Sequence, residues 1–369
     1  MAYSYWPPRF GGFHVPRWGP GPQPKPSQNA REEVFEPFIP PPPNEIMDPD
    51  EDEDQPNVEP VPVVQNQNPQ RRVPEQLLTI RPYRFRWSKS AWKHVVPSGM
   101  SMREISQIRI ITWNVDMVSD YHEERLTAAL RHIEEDALKC KEDEEPEPCC
   151  ILLQEVRDFI LPYLLKDPWV RKHFVVAPFT KDKWPEGAWY GNVTLVSRSI
   201  EIAECHILHY AFSRMQRTAL CVKIKLNFRG SKDKAIISIV NTHLESLPDG
   251  AAARPKQLAI CARFLLLEQV SGGIVAGDMN AIGPGMKCWR KGDIDAGKTW
   301  GYQGQNSGNY PPNRLDKIFL LPGGYKVEEP KRIGVGLRIK EDTNDAVWVS
   351  DHYGLETTLR MKARSTSSE

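Results

Sequence analysis

Two polar side chains stand directly after a short apolar run, where they could act on one ligand. Residues 274–276 are apolar, Gly277 follows, and Asp278 and Asn280 come next, two positions apart. The run is typical of a buried strand that ends in a turn, and side chains i and i+2 of an extended segment face the same way. An aspartate can accept a proton from water, and an asparagine can donate to a phosphate oxygen or hold the water. Taken alone, the pattern also fits a plain turn.

Five further polar signatures occur where other strands are predicted to begin or end. Read singly, each has an ordinary structural interpretation, such as a turn-forming asparagine, a solvated glutamate or a histidine satisfied in the core. Their joint occurrence is harder to explain in this way, because one sheet edge can gather several strand ends into a single cleft. The signatures are TWN at 112–114, QE at 154–155, NTH at 241–243, RLD at 314–316 and SDH at 350–352.

The set suits hydrolysis of a phosphodiester with the help of a metal ion. The charge of a phosphodiester repels nucleophiles, and the transition state adds charge to the phosphoryl oxygens. A hard divalent cation such as Mg²⁺ offsets that charge and uses one or two protein carboxylates. Glu155 is the candidate metal ligand, assisted by Asn114, and Asp351 is a second carboxylate candidate.

The remaining polar residues have roles in the same reaction. Asp278 is the candidate base or orienting group for the attacking water, and Asn280 can fix that water or a phosphate oxygen. His243 and His352 can donate hydrogen bonds to non-bridging oxygens. Asp316 can hold His352 in the required tautomer and orientation.

Many strands and few helices are predicted to position these residues. Helices are predicted over 122–138, 159–165 and 251–270. Adjacent strands with so little helix between them indicate two packed β-sheets flanked by helices, an α+β sandwich. The predicted strands cover 108–112, 149–153, 174–177, 193–196, 200–208, 219–226, 236–241, 274–277, 315–320 and 355–359.

Composition separates an N-terminal tail from the predicted domain. Residues 1–75 hold 18 of the 33 prolines, with 6 Lys or Arg against 12 Asp or Glu. Such a segment cannot bury enough apolar surface to offset the entropy of ordering, so we predict that it is disordered. Residues 76–104 form a transition segment that mixes basic and aromatic side chains. Residues 105–362 form the domain that carries the site, and residues 363–369 form a short disordered tail.

Charge and cysteine usage narrow the class of protein. The formal net charge is zero, but the residues after 75 carry 42 Lys or Arg against 36 Asp or Glu, which is compatible with a polyanionic ligand. The seven cysteines show no CxxC pair and no disulfide framework, which indicates a reducing compartment and no structural zinc. No apolar run is long enough for a membrane span, and no signal-peptide core is present, so we expect neither a membrane protein nor a secreted one.

In their order along the chain, the signatures resemble the endonuclease/exonuclease/phosphatase superfamily of DNase I-like hydrolases. The resemblance covers about 108–359. Within that superfamily, THLES at 242–246, QRTALCV at 216–222 and SDHYGL at 350–355 resemble the 5′-tyrosyl-DNA phosphodiesterases. The ordered series is TWN, LQE, YGN at 190–192, NTH, GDMN, RLDKI and SDH.

The resemblance implies a four-layered α/β sandwich, dependence on Mg²⁺ or Mn²⁺, and hydrolysis of a tyrosine–5′-phosphate bond at DNA ends left by a stalled topoisomerase. It also implies a monomer that acts in DNA repair in the nucleus, with the cytoplasm as the other location. The implied catalytic set is Asn114, Glu155, Asp278, Asn280 and His352. The implied substrate contacts are His243 and Ser246 to phosphate, and Tyr190 and Trp300 along the path of the DNA. Asn192 and Arg254 are further candidate substrate-binding residues.

Two positions depart from that family, which usually has arginine where this chain has Pro248 and Ile282. The planar fork of arginine binds phosphate in a way that neither residue can reproduce. We therefore expect weaker recognition of phosphate or of a DNA end, although the metal and base residues are retained. Arg254, Lys287 or Arg290 could compensate, and ordinary surface charge is the simpler interpretation of these three.

Other functions remain open at this point. Within the superfamily the alternatives are a general DNA nuclease, a deadenylase-like enzyme acting on RNA, and an inositol or sphingolipid phosphodiesterase. Outside the enzyme class the alternative is a catalytically silent protein that keeps the fold and uses the cleft or the acidic tail for assembly. Retention of the whole polar set disfavours that alternative, and Mg²⁺-dependent turnover would exclude it. The partner of the N-terminal tail is left open.

Overall fold

Alternating apolar side chains build two β-sheets that share one core. In the strand Lys234–His243, Ile239 lies in the core between the sheets and Val240 lies in a second core on the opposite face, because successive side chains of a strand point to opposite faces. The computed structural model describes residues 75–95, 104–116, 118–141, 143–211, 213–281, 297–304, 310–340 and 347–363.

The strands form a six-stranded sheet in the order β1-β8-β9-β10-β11-β12 and a nine-stranded sheet in the order β13-β17-β4-β5-β7-β6-β2-β3, in which β14 also pairs with β17; β15 and β16 pair with each other. Their bounds are β1 Gln76–Thr79, β2 Tyr83–Arg86, β3 Ala91–His94, β4 Gln107–Asn114, β5 Cys149–Arg157, β6 Phe174–Ala177, β7 Tyr190–Ser197, β8 Glu201–His209, β9 Thr218–Asn227, β10 Lys234–His243, β11 Gly273–Asp278, β12 Asp316–Leu321, β13 Tyr325–Val327, β14 Lys331–Ile333, β15 Arg338–Lys340, β16 Val347–Trp348 and β17 Gly354–Met361.

Helices cover the sheets. Side chains of α1 (His122–His132), α2 (Leu161–Lys166) and α3 (Pro168–His173) join the larger core, and α1 continues as a π-helical turn, Ile133–Ala137. The helix α4 (Arg254–Arg263) packs with β8 to β12 in the second core. This arrangement confirms the predicted four-layered α/β sandwich.

The predicted strands are all present, and the structure adds β1 to β3 and β13 to β16, which the sequence analysis did not predict. The helices differ from the prediction in their bounds and in number. The helix predicted over 251–270 was too long, because α4 ends at Arg263 and the backbone hydrogen bonds then tighten to i→i−3 over Phe264 to Leu266. The helix α3 was missed, although Asp167 caps it by accepting from the N–H of Val170 at 3.0 Å and Pro168 begins it.

Three strands lie inside the segment 76–104 that the sequence separates from the domain. β1 pairs with β8 at the edge of the six-stranded sheet, and β2 pairs with β6 in the nine-stranded sheet. The predicted tails lie outside the described residues except for Glu75 and Ala363. Over the described ranges, the structure contains no helix that is both long and apolar enough to cross a membrane.

Candidate active site

The polar signatures meet where strands of the two sheets end. β4 runs parallel to β5 in one sheet, and β10 runs parallel to β11 in the other, so each pair brings its carboxyl ends together. His243 pairs with Asp278 at the ends of β10 and β11, and Asp316 opposes Asp278 at the start of β12. A hydrogen bond of 3.1 Å from Asn114 at the end of β4 to Asp278 joins the two sheets at this edge.

Asp278 is the centre of the cluster and is 2% exposed. Its Oδ2 accepts from Nδ2 of Asn114 at 3.1 Å and lies 3.3 Å from Nε2 of His243 and 3.6 Å from Nε2 of His352. Its Oδ1 accepts from the backbone N–H of Asn280 at 2.9 Å. Burial alone would raise the pKa of Asp278, but the two histidines and these hydrogen bonds lower it below its ordinary value. The carboxylate is therefore ionised at neutral pH.

His352 is held in one orientation by Asp316, the carboxylate that the sequence analysis assigned to it. Nδ1 of His352 donates to Oδ2 of Asp316 at 2.7 Å, and Asp316 has no exposed surface. Burial by itself would lower the pKa of His352, but Asp316, Asp351 and Asp278 together raise it well above its ordinary value. The imidazolium form is stabilised, and its second N–H, at Nε2, points towards Asp278.

His243 is oriented by Arg217, a site residue that the sequence analysis did not assign. Nη1 of Arg217 donates to Nδ1 of His243 at 2.7 Å, and Nη2 donates to Oγ of Ser246 at 2.7 Å. Because a guanidinium only donates, Nδ1 of His243 accepts and Nε2 carries the proton towards Asp278. Arg217 is 4% exposed and lies 5.2 Å from the ring centroid of Tyr190. Its only sequence signal was its place in the QRTALCV motif.

Glu155 is placed by an irregularity in β5. The pairing of β5 with β7 shifts register between Leu153 and Val156, and Glu155 has a left-handed backbone with φ of 61°. A bulge re-aims a side chain, and a glutamate at positive φ is strained and persists where the surroundings require it. The carboxylate lies 3.7 Å from Nδ1 of His243, and candidate ligand atoms of Glu155, His243 and Asp278 all lie within 4.8 Å of one another.

Asp351 adds another carboxylate beside this cluster. It accepts from Nε1 of the half-buried Trp300 at 3.0 Å and lies 3.9 Å from Nε2 of His352. Burial, with Asp116 and Glu155 nearby, raises the pKa of Asp351 to about 7, although His352 and the bond from Trp300 lower it. A concentration of negative charge of this kind is relieved by a cation.

The loop before His352 is fastened to the end of β4. Oγ of Ser350 donates to the backbone oxygen of Asn114 at 2.6 Å and accepts from the N–H of His352 at 3.0 Å. Oδ1 of Asn114 in turn accepts from the N–H of Asp116 at 3.0 Å, and Asp116 pairs with Arg125 at 2.9 Å. These bonds set the position of the amide that reaches Asp278.

The predicted substrate residues divide into two groups. Ser246 and Tyr190 contact Arg217 and so lie beside the cluster. Asn192 is 3% exposed and donates to the backbone oxygen of Thr218 at 3.0 Å. Arg254 is 7% exposed and donates to two backbone oxygens, those of Glu245 at 3.1 Å and Leu247 at 2.8 Å, so it holds a loop together.

Of the two departures from the family pattern, Pro248 lies within the described residues and Ile282 does not. Pro248 begins a short 3₁₀ turn, Pro248–Gly250, two residues after Ser246. Ile282, Lys287 and Arg290 lie outside the described residues.

Three motif residues, Gln154, Asn241 and Glu245, support the site without reaching it. Gln154 and Asn241 are fully buried, and Nε2 of Gln154 donates to Oδ1 of Asn241 at 2.8 Å. This bond joins β5 of one sheet to β10 of the other. Glu245 accepts from the N–H groups of Arg214 and Met215, each at 3.0 Å, and fixes the turn before Arg217. These polar residues are buried and hydrogen-bonded within the fold, which sequence spacing could not distinguish from exposure to a ligand.

Gly277 permits the close approach of β10 and β11 next to Asp278. Its φ is +142°, and a Cβ there would lie 1.8 Å from the carbonyl oxygen of Thr242. Only glycine fits such a position. The glycine of the GDMN signature is thus required by the register that places His243 beside Asp278.

The Endonuclease/Exonuclease/phosphatase family model matches residues 111–352 of this chain. The chain belongs to this family, and the four-layered fold and the cluster of carboxylates and histidines agree with that membership. Its class is therefore that of the phosphodiesterase- and nuclease-like hydrolases of the family. Two clusters of the described residues, one around Glu155 and one around Asp316, could each hold a metal ion.

The relatives extend the resemblance seen in the sequence. Tyrosyl-DNA phosphodiesterase 2 of Mus musculus is 26% identical over 284 residues, which are 72% of this chain and 69% of the relative. The crystal structure of humanized D. rerio TDP2 matches with a TM-score of 0.53 at 20% identity, over 69% of this chain and 100% of that one. D. rerio TDP2 complexed with single strand DNA product matches with a TM-score of 0.53 at 19% identity, over the same shares.

Proposed function

We propose that this chain is a divalent-metal phosphodiesterase that hydrolyses the bond between a tyrosine and the 5′ phosphate of a DNA end. The observation that carries the proposal is the convergence of N–H groups from Asn114, His243 and His352 on the buried Asp278, beside Glu155. The similarity to tyrosyl-DNA phosphodiesterase 2 and the THLES and QRTALCV motifs support the substrate. The D. rerio TDP2 structure with a single strand DNA product supports DNA as the polymer.

The donor set favours a hard cation such as Mg²⁺ or Mn²⁺. One nitrogen of His243 accepts from a guanidinium and the other carries a proton, while His352 is stabilised as an imidazolium. Both histidines therefore face the cluster with N–H groups, and neither offers a lone pair there. The remaining ligand atoms are the carboxylate oxygens of Glu155 and Asp278, which suit an oxygen-seeking cation. When bound, such a cation would offset the charge that develops on the phosphoryl group.

Asp278 orients the attacking water in this proposal. A general base is most effective when its pKa is near the working pH, but the pKa of Asp278 is lowered by its histidine neighbours. An ionised carboxylate with four donors around it holds a water and the two imidazoles in place. His352 donates Nε2–H to a non-bridging oxygen, and His243 donates from the other side. Asn280, whose Nδ2 donates to the backbone oxygen of Leu244 at 3.1 Å, keeps a second N–H for the water or the phosphate.

Arg217 supplies phosphate recognition in place of the family's two missing arginines. Its guanidinium is already fixed by His243 and Ser246, so little side-chain entropy is lost when a phosphate arrives. Its position over Tyr190 also offers a surface for the aromatic leaving group. Under this proposal the phosphate meets two buried cations, the guanidinium of Arg217 and the imidazolium of His352. We also propose that the protein acts as a monomer in the nucleus.

A substrate panel with Mg²⁺ or Mn²⁺ tests the proposal. The panel contains a 5′-tyrosyl oligonucleotide, an abasic duplex, a plain single strand, poly(A) and an inositol phosphate. We expect the highest kcat/KM on the tyrosyl substrate. Glu155→Gln should abolish this turnover and keep the fold, because the amide has the size of the carboxylate but lacks the anionic oxygen that a hard cation requires.

Glu328→Gln is the matched control, because it removes a carboxylate from an exposed pair with Arg360. It should leave turnover unchanged. Absence of metal-dependent turnover on every substrate would contradict the proposal and leave a silent binding protein. Preference for another member of the panel would assign the chain to a different phosphodiesterase of the family.

A further inference from the structure

A row of aromatic and cationic side chains leads away from the candidate active site. The ring of Trp189 lies 4.8 Å from that of Tyr190, the guanidinium of Arg157 lies 4.5 Å from Trp189 and 4.7 Å from Phe159, and His122 lies 5.1 Å from Phe159. We call Trp189, Arg157, Phe159 and His122 the stacked surface. Trp189 is 42% exposed and Phe159 is 46% exposed.

The strand pairing of β5 and β7 makes the stacked surface continuous with the cleft. Arg157 is the last residue of β5, two positions after Glu155, and it pairs in register with Tyr190 at the start of β7. The backbone oxygen of Trp189 accepts from the N–H of Asp158 at 2.9 Å, so the two strands stay paired beyond the bulge. A ligand that leaves the cleft past Tyr190 therefore meets Trp189 first.

The core of the protein does not require these rings. Trp189 and Phe159 belong to neither hydrophobic core and are each more than two-fifths exposed, and exposed apolar groups next to a cleft are characteristic of binding surfaces. Arg157 lies against both rings and holds them in a fixed orientation. Rings that are ordered before binding lose little freedom when a ligand stacks on them.

We propose that the stacked surface binds the unpaired bases of the nucleic acid strand whose 5′ end occupies the cleft. The inference rests on the proposed function for the identity of that strand. Alternating aromatic faces and a cation match the alternating planar bases and phosphates of a single strand, and every base has a face that can stack. The surface would thus add affinity for the strand without a preference for its sequence.

The test is binding of a 5′-phosphorylated single strand of about twelve nucleotides, within the range of about 4–16 for single-strand sites, with a fluorophore at its 3′ end. Binding is followed by fluorescence anisotropy. Trp189→Ala and Phe159→Ala should each bind the oligonucleotide about fivefold or more weakly than the unmodified protein does. Trp189→Phe should retain most of the affinity, because it keeps a ring.

Trp87→Ala is the matched control. Trp87 is 58% exposed and packs edge-on against Phe85 at 5.0 Å, as Trp189 does against its neighbour. It follows β2 at the end of the sheet opposite the cleft, because Arg84 pairs with Val175 and Phe174 pairs with Ser197 at the far end of β7. Its removal should leave the affinity for the oligonucleotide unchanged.

Binding and hydrolysis separate the two proposals. An unmodified protein that binds the strand through Trp189 and Phe159 but hydrolyses no tyrosyl substrate would contradict the proposed function and support the stacked surface. Equal affinity of the unmodified protein and both alanine variants would overturn the stacked surface as a strand site, whatever the hydrolysis result, and would leave a protein partner as its occupant. Absence of any strand binding would overturn it as well.

Discussion

Replacing Asp316 with asparagine isolates the part that one carboxylate plays in catalysis. Asp316 has no exposed surface and accepts from Nδ1 of His352 at 2.7 Å, a short bond between charged groups. Asparagine keeps the shape and removes the charge that stabilises the imidazolium. Hydrogen bonds to charged groups contribute about 1.5–3 kcal/mol, so kcat/KM should fall by about 10- to 150-fold. Asp278 and Asp351 still face His352, which keeps the loss within this range.

The pH dependence gives a second readout of the same change. The pKa of His352 is raised in the folded protein, so the charged form persists through neutral pH. The stability that this shift contributes is fully present below the ordinary pKa of about 6.5 and is lost as the pH rises through the folded value. In Asp316→Asn the folded pKa falls, and the alkaline limb of kcat/KM should move to lower pH. The difference in free energy of unfolding between the two proteins should shrink as the pH rises through the folded pKa of His352.

The assay is kcat/KM against pH on a chromogenic phosphodiester at saturating Mg²⁺, with thermal unfolding to establish that the variant is folded. Glu328→Gln, which removes an exposed carboxylate, should reproduce the unmodified profile. An Asp316→Asn protein with an unchanged alkaline limb and kcat/KM within a factor of about two of the unmodified protein would refute the reasoning, since about 1.5 kcal/mol is the least that the bond should contribute.

Three further predictions concern binding and packing. Arg217→Lys should lower kcat/KM on the tyrosyl substrate by about tenfold or more, because an ammonium cannot make both bonds of the fork; equal kcat/KM in steady-state kinetics would contradict this. Gly277→Ala should destabilise the fold by more than the roughly 1–3 kcal/mol of backbone strain, because the new Cβ would also clash with Thr242. Gly230→Ala, also at positive φ but with open space around it, should lose only the strain energy. Equal losses of unfolding free energy in urea would exclude the close contact at Gly277. Ile282→Arg should raise kcat/KM on the tyrosyl oligonucleotide and steepen the salt dependence of DNA binding by roughly one unit of log–log slope; no change in either would show that no phosphate lies there.

The strand ends of the candidate site followed from the sequence because their signal is local. An apolar run followed by Asp278 and Asn280 predicts both the strand and the side chains at its end. For β5 the apolar run was predicted, but the strand continues past Glu155 to Arg157. The assignment of Asp316 to His352 came from the general role of a carboxylate beside a catalytic histidine. The bulge that aims Glu155 left no such signal, because the register of β5 against β7 depends on tertiary pairing.

The ends of the helices were harder to predict from the sequence for a similar reason. The apolar residues 264–267 continue a helical pattern beyond Arg263, yet the chain turns there to reach β11, and Leu265 packs into the second core from the turn. Periodicity reports which residues are buried and not which backbone conformation buries them. The short helix α3 carried an Asp-Pro start, but its six residues are too few to show a period.

Arg217 marks the limit of reasoning from residue type alone. A lone arginine before a strand reads as surface charge, and only the fold shows it 4% exposed between His243 and Ser246. Because Arg217 is buried beside the histidines, the absence of arginine at positions 248 and 282 does not leave the candidate site without a guanidinium. Under the proposed function, Arg217 orients the reacting phosphate beside the histidines, whereas further arginines would mainly add affinity through released counterions. Proline at position 248 and isoleucine at position 282 should therefore raise KM and make the salt dependence of DNA binding shallower, with a smaller effect on kcat.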